Sequence, residues 1–227
     1  MGMTADQVMA RLVDWVQLHG NGSFIDGATT PSLPMENYTI EEDYGIQQVY
    51  EEIREFVGVL LEHPRTNILE VGLGYFGSTH FLWRQLFDKT ITIEMRSERI
   101  REFGKNTREY YKEWALSDKR SAFFVGMSSN PIVVKRVYSY IQKIGRLDVL
   151  FIDGDHSYEG VLADWLLYSP LVKTGGIVAF HDCLLSEIEG GAAGFVNDVE
   201  EGKVDGIHRE MHRIVHSKYA GIAWYEK

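Results

Sequence analysis

Two short runs gather most of the ionisable chemistry of this chain: Asp153, Gly154, Asp155 and His156 in FIDGDH, and His181 with Asp182 in VAFHD. Each ends an apolar segment that reads as a buried strand, near 147–153 and 176–181. In an open parallel sheet such ends face the ligand crevice, so the two runs deliver their acids and imidazoles to one pocket. Acids clustered at strand ends seldom serve packing, because burying a carboxylate unpaired is costly. Imidazole titrates close to neutral pH, which makes His156 or His181 a candidate base, with Asp155 and His156 the pair best suited to handle a proton. Asp155 or His156 capping the helix that starts at Ser157 is the competing structural reading.

A third run, NILEVGLGYFG at Asn67 to Gly77, joins a strand to a glycine turn and a helix. Gly72, Gly74 and Gly77 let the backbone turn tightly and bring bare amides to a helix N-terminus, where a nucleotide cofactor can approach. The GxGxxG spacing alone suits a nicotinamide dinucleotide as well as S-adenosylmethionine. Glu70, just ahead of the glycines, tilts the choice: a carboxylate there repels a diphosphate and tolerates a sulfonium with its cationic amino-acid end.

The elements that position these runs alternate. Strands are expected near 67–71, 90–94, 121–125, 147–153 and 176–181, with helices near 78–87, 97–115, 131–143 and 158–169. Glu210 to His216 and Gly221 to Tyr225 are too close in sequence for a helical crossover and should pair antiparallel. The expected fold is therefore α/β: a doubly wound, Rossmann-like, mostly parallel sheet of seven strands with a terminal antiparallel pair. Ahead of it lie an amphipathic helix, Thr4 to Leu18, a Gly/Pro loop between His19 and Tyr38, and a helix from Glu41 to Glu62. The division expected is 1–40 as helix and lid-like loop, and 41–227 as the cofactor-binding domain. Gly175 and Gly176 read as the turn into the fifth strand, and Gly190, Gly191 and Gly194 with Phe195 as a flexible segment after it.

With 227 residues, one domain with an extension suffices. A net charge of −10 disfavours a nucleic-acid footprint, and Arg96, Arg99, Arg101 and Lys105 read as the solvated side of one helix. One cysteine, Cys183, excludes an internal disulfide and a multi-thiolate zinc site. Neither a signal peptide nor a membrane span is legible, so a soluble cytoplasmic protein is expected.

Five parallel strands with a terminal antiparallel pair, together with FIDGDHSYEGVLADWLLYSPLVKTGGIVAFHD, resemble the class I S-adenosylmethionine-dependent methyltransferases. The nearest branch is that of small-molecule O-methyltransferases, including those of antibiotic sugars and the cephalosporin hydroxylase relatives; the likeness runs from about Glu41 onward. It implies that Glu70, Gly72 and Gly74 make the first cofactor contacts, with Asp153 beside them. It also implies that Glu94, closing ITIE, accepts the ribose hydroxyls, since a carboxylate offers two oxygens to a vicinal diol. Met127 and Ser128 of GMSSN fall in the adenine loop, where many relatives carry an acid; Ser129 or Asn130 capping the next helix is the alternative there.

Metal-dependent relatives imply a divalent cation, Mg²⁺ by type, on Asp153, His181 and Asp182. The imidazole in that set moves preference toward Mn²⁺, Fe²⁺ or Zn²⁺. Without metal, His181 or His156 is the base. The implied activity is methyl transfer to a hydroxyl of a small molecule, a sugar, polyketide or phenol, with no nucleic-acid or membrane partner and a homo-oligomer left open. Two other readings stand beside it: an NAD(P)-dependent oxidoreductase, and a cofactor-binding assembly partner without turnover.

Overall fold

Apolar alternation and glycine turns build a seven-stranded sheet in the computed structural model, which describes residues 2–17, 48–74, 77–97, 99–101, 119–184, 191–218 and 220–227. The elements run α1 (Ala5–Gln17), α2 (Tyr50–Leu61), β1 (Asn67–Val71), α3 (Ser78–Leu86), β2 (Lys89–Glu94), β3 (Ser121–Val125), α4 (Pro131–Ile144), β4 (Leu147–Ile152), α5 (Tyr158–Tyr168), β5 (Val172–His181), α6 (Gly191–Glu200), β6 (His212–Ile214) and β7 (Ile222–Glu226). The strand order is β3-β2-β1-β4-β5-β7-β6. The first five strands are parallel, and β7 pairs antiparallel with both β5 and β6.

Register decides what the crevice receives. Val71 pairs with Ile152, and Ile152 with Phe180, so β1, β4 and β5 end level and release Gly72, Asp153 and His181 side by side. Strand side chains alternate between two cores. On one face Ile68, Phe151 and Ala179 pack under α1, α2 and α3, with Trp15 stacked on Phe81 at 5.0 Å between centroids. On the other, Leu69, Leu150, Ile152 and Phe180 pack under α4, α5 and α6. Helices on both faces keep this end of the sheet rigid, because strands buried on two sides have no free face to move.

Several expectations are revised. The glycine-rich stretch after the fifth strand is not a flexible segment from Gly191 onward: Gly191–Glu200 is α6, held by Phe195, Val196 and Val199, all buried at 0% exposure. A helix-spaced apolar face outweighs two glycines, Gly191 and Gly194, once it has a sheet to cover. Strand β5 starts at Val172, and Gly175–Gly176 lie inside it at a register shift against β4 rather than in a turn before it. A Cβ on Gly176 would come 2.7 Å from the Asp148 carbonyl, which explains the small residue. The second helix begins at Tyr50, with Val49 extended at its N-cap; the expected stretch 41–47, the Gly/Pro loop and most of 97–115 lie outside the described residues. Arg99 is not simply solvated, since its guanidinium reaches Glu94 at 3.4 Å. Among the described residues no helix is long and apolar enough to cross a membrane.

Candidate functional site

The crevice is built on a backbone crossing. Asp153 N–H donates to Val71 C=O at 2.9 Å and Gly72 N–H to Ile93 C=O at 2.9 Å, so both chains extend the ladder one residue beyond their strands. Gly72 has φ +97°, and a Cβ there would sit 2.1 Å from the Asp153 carbonyl oxygen. Only glycine permits that approach. Gly74 and Gly77 also have positive φ, and Gly77 is the left-handed N-cap of α3; residues 75 and 76 lie outside the described set.

The two acids of the glycine side are enclosed by protein. Glu70 is fully buried, accepting from Trp83 Nε1 at 2.9 Å and Thr92 Oγ1 at 2.8 Å. Burial pushes its pKa up to about 8 against the pull of the Thr79, Thr92 and Trp83 hydrogen bonds. Burial thus weakens the charge behind the repulsion of a diphosphate expected from this carboxylate. Glu94, 3% exposed, takes the Leu73 amide on Oε2 at 3.0 Å and the Arg96 amide on Oε1 at 2.8 Å. It thereby ties the glycine turn to the end of β2, and each oxygen retains further acceptor capacity.

The ends of β4 and β5 are different. His181 Nδ1 lies 3.1 Å from Asp153 Oδ1 and 3.3 Å from Asp182 Oδ2, and His156 Nε2 lies 3.2 Å from Asp182 Oδ2 and 3.7 Å from Asp153 Oδ1. Burial disfavours charge on both rings, but the two carboxylates outweigh it, raising His156 and holding His181 well above its ordinary value. Asp153 is held low: burial opposes this, and His181 and His156 overcome it. Asp182 has φ +55°, the one non-glycine residue with positive φ among those described. Its peptide is strained into place to set the carboxylate against both rings.

His181 is 4% exposed, yet neither ring nitrogen has an aligned hydrogen bond among the described residues. Asp153, His181 and Asp182 each offer a ligand atom, all within 4.8 Å of one another. With the His181 ring neutral, its nitrogen and the two carboxylates fit a divalent ion with mixed nitrogen and oxygen ligands.

Asp155 stands apart from the cluster. It is exposed, its Oδ1 accepts the Ser157 amide at 3.0 Å, and Gly160 of α5 packs against it. Ser157 itself caps α5 by accepting the Gly160 amide at 3.1 Å. Asp155 thus braces the capping residue just ahead of α5, while His156 points to the acids. In the loop after β3, Met127 is 60% exposed, the Ser128 carbonyl accepts from Tyr168 Oη, and Asn130 caps α4 through the Ile132 amide at 2.9 Å with Pro131 at N1. Two residues escaped sequence reasoning. Gln48, 1% exposed, donates from Nε2 to Asp153 Oδ2 at 2.9 Å across 105 positions. Asp164, 1% exposed beside Ser128 and Gly154, is pushed up to about 6 by burial. Its place in LADW, in the middle of a helix with apolar neighbours, was the available signal.

Residues 69–183 match the family described as a methyltransferase domain. The chain belongs to that methyltransferase-domain family. Its fold is shared by the O-methyltransferase from Bacillus cereus in complex with SAH, with 14% identity, 97% of this chain and 90% of that chain covered, and a TM-score of 0.57. MycE methyltransferase of the mycinamycin biosynthetic pathway, in complex with Mg, SAH and mycinamycin VI, is similar at 14% identity and a TM-score of 0.56. There the whole of this chain covers 55% of the other. TomG, an O-methyltransferase from Streptomyces achromogenes in complex with SAM, matches 75% of this chain and 76% of its own at 16% identity and a TM-score of 0.52. An uncharacterized protein of Acanthamoeba polyphaga mimivirus is 42% identical over 62 residues, which span 24% of this chain and 28% of the viral protein. The seven-stranded α/β architecture of the methyltransferase domain is therefore the one expected, helices on both faces included.

Proposed function

We propose that this chain is an S-adenosylmethionine-dependent methyltransferase acting on a hydroxyl of a small molecule, with sugars, polyketides and phenols the leading acceptor classes. The observation that carries the reading is the cluster of Asp153, His156, His181 and Asp182 one peptide away from the Gly72 turn. A glycine turn and a proton-handling cluster on adjoining strand ends are the two parts that methyl transfer to oxygen requires: alignment, and removal of the acceptor proton. Membership of the methyltransferase-domain family favours this over nicotinamide chemistry.

In this reading the amides and positive-φ glycines at Gly72 and Gly74 receive the amino-acid end of the donor, and Glu94 its ribose. Met127 and Ser128 flank the adenine, and Asp153 closes the site beside Gly72. His156, half-exposed and paired with Asp182, takes the hydroxyl proton. Asp155 contributes by holding the start of α5 and so the position of His156. Asp153, His181 and Asp182 would hold the divalent cation, which when bound supplies charge to lower the pKa of an acceptor hydroxyl. Residues 1–40 cover the acceptor, and the protein works as a soluble cytoplasmic enzyme.

The test is calorimetry with adenosylmethionine and with NADH, followed by detection of S-adenosylhomocysteine with a panel of hydroxylated acceptors. Binding of adenosylmethionine alone with slow product formation is expected. Tight NADH binding without adenosylmethionine binding overturns the reading. Binding without product across the panel and in the absence of any acceptor favours an assembly partner instead.

A further inference from the structure

Asp153 divides its two oxygens. Oδ1 faces His181 at 3.1 Å and His156 at 3.7 Å, while Oδ2 receives the Gln48 amide at 2.9 Å. The direction of that amide is settled by chemistry, since reversing it would set the Gln48 carbonyl against a carboxylate oxygen. Gln48 Oε1 is then buried with no partner among the described residues, a cost that only a specific duty of Nε2 offsets. We propose that Gln48 is a positioning residue of the cation site, fixing the rotation of the Asp153 carboxylate so that Oδ1 alone is presented with His181 and Asp182.

Its setting supports this. Gln48 stands just ahead of α2, whose Ile53, Phe56, Val57 and Leu60 are fully buried, so the amide is carried on a rigid element. One turn on, buried Glu52 accepts the amides of His216 and Ser217 at 2.8 Å and of Gly221 at 2.9 Å. The Gly221 carbonyl in turn accepts from Cys183 N–H at 3.3 Å, next to Asp182. The residue leading into α2 thus braces the β4 acid directly, and the first turn of α2 reaches the β5 acid through the β6–β7 loop. The inference rests on the cation reading of Asp153, His181 and Asp182.

The experiment is Mn²⁺ titration followed by electron paramagnetic resonance on the full chain without adenosylmethionine, comparing wild type with Gln48→Met, which keeps the volume, and Gln48→Asn, which keeps the amide but cannot reach. Partners of metal ligands typically alter affinity about 10–100-fold, and a weakening of about tenfold or more is expected in both variants with unchanged metal-free melting temperatures. Wild-type binding with variants less than about tenfold weaker overturns the positioning role alone. So does a lowered metal-free melting temperature large enough to account for the loss. Absence of Mn²⁺ binding by wild type overturns the cation reading and this inference with it.

Discussion

Acids close the strands at both sides of the crevice, and they are held in opposite ways. On the glycine side Glu70 and Glu94 are wrapped in donors: an indole, a hydroxyl, two backbone amides and an arginine. On the other, Asp153 and Asp182 face two imidazoles, one of them buried without an aligned bond. The first arrangement stabilises a turn and leaves only spare acceptor capacity on Glu94. The second leaves the His181 ring without an aligned bond among the described residues, which is the mark of a group kept for something else.

That contrast breaks if substitutions at the two sides behave alike. The largest effect is expected at His156→Gln: product formation falls about 10²–10⁴-fold, read as S-adenosylhomocysteine released, with the melting temperature little changed. A wild-type rate would remove His156 from proton handling. Next, Glu70→Leu leaves the buried Trp83 N–H unpaired and the Thr92 hydroxyl with His80 Nδ1 alone, and denaturant unfolding should show a loss of about 1–3 kcal/mol. Retained stability there would mean the glycine side is not structural.

The pH dependence sharpens the same point. The Glu70 carboxyl ionises near its ordinary value of 4.5 when unfolded and near 8 when folded. Between these the folded chain binds the extra proton, so the stability contribution is full below 4.5, declines as pH rises, and is lost through 8. The decline is at steepest roughly 1.4 kcal/mol per pH unit, and Glu70→Gln should flatten it in unfolding measured from pH 5 to 8. The smallest effect is Asn130→Ala, which removes the α4 cap for about 1 kcal/mol with product formation intact.

The order of elements was legible because each strand is a short apolar run bounded by turn residues, and the boundaries of β1 and β3 match the expectation. The convergence of Asp153, His156, His181 and Asp182 was legible for the same reason: strand ends in an open parallel sheet share one edge. What escaped depends on distance along the chain. Gln48 meets Asp153 across 105 positions, and no local pattern signals such a pairing. The raised pKa of Glu70 was hidden too, since the helix behind β1 that buries it supplies the indole from thirteen positions on. The glycines at 191 and 194 misled because local flexibility was weighed without the apolar face of Phe195, Val196 and Val199.

The contact of Gly72 with the Asp153 carbonyl has a mechanical corollary. Two neighbouring peptides touch with no side chain between them, so the glycine loop and the end of β4 have no slack through which to drift apart. Whatever shifts the first by a fraction of an ångström shifts the second as well, and the spacing between the two strand ends is set through the main chain alone.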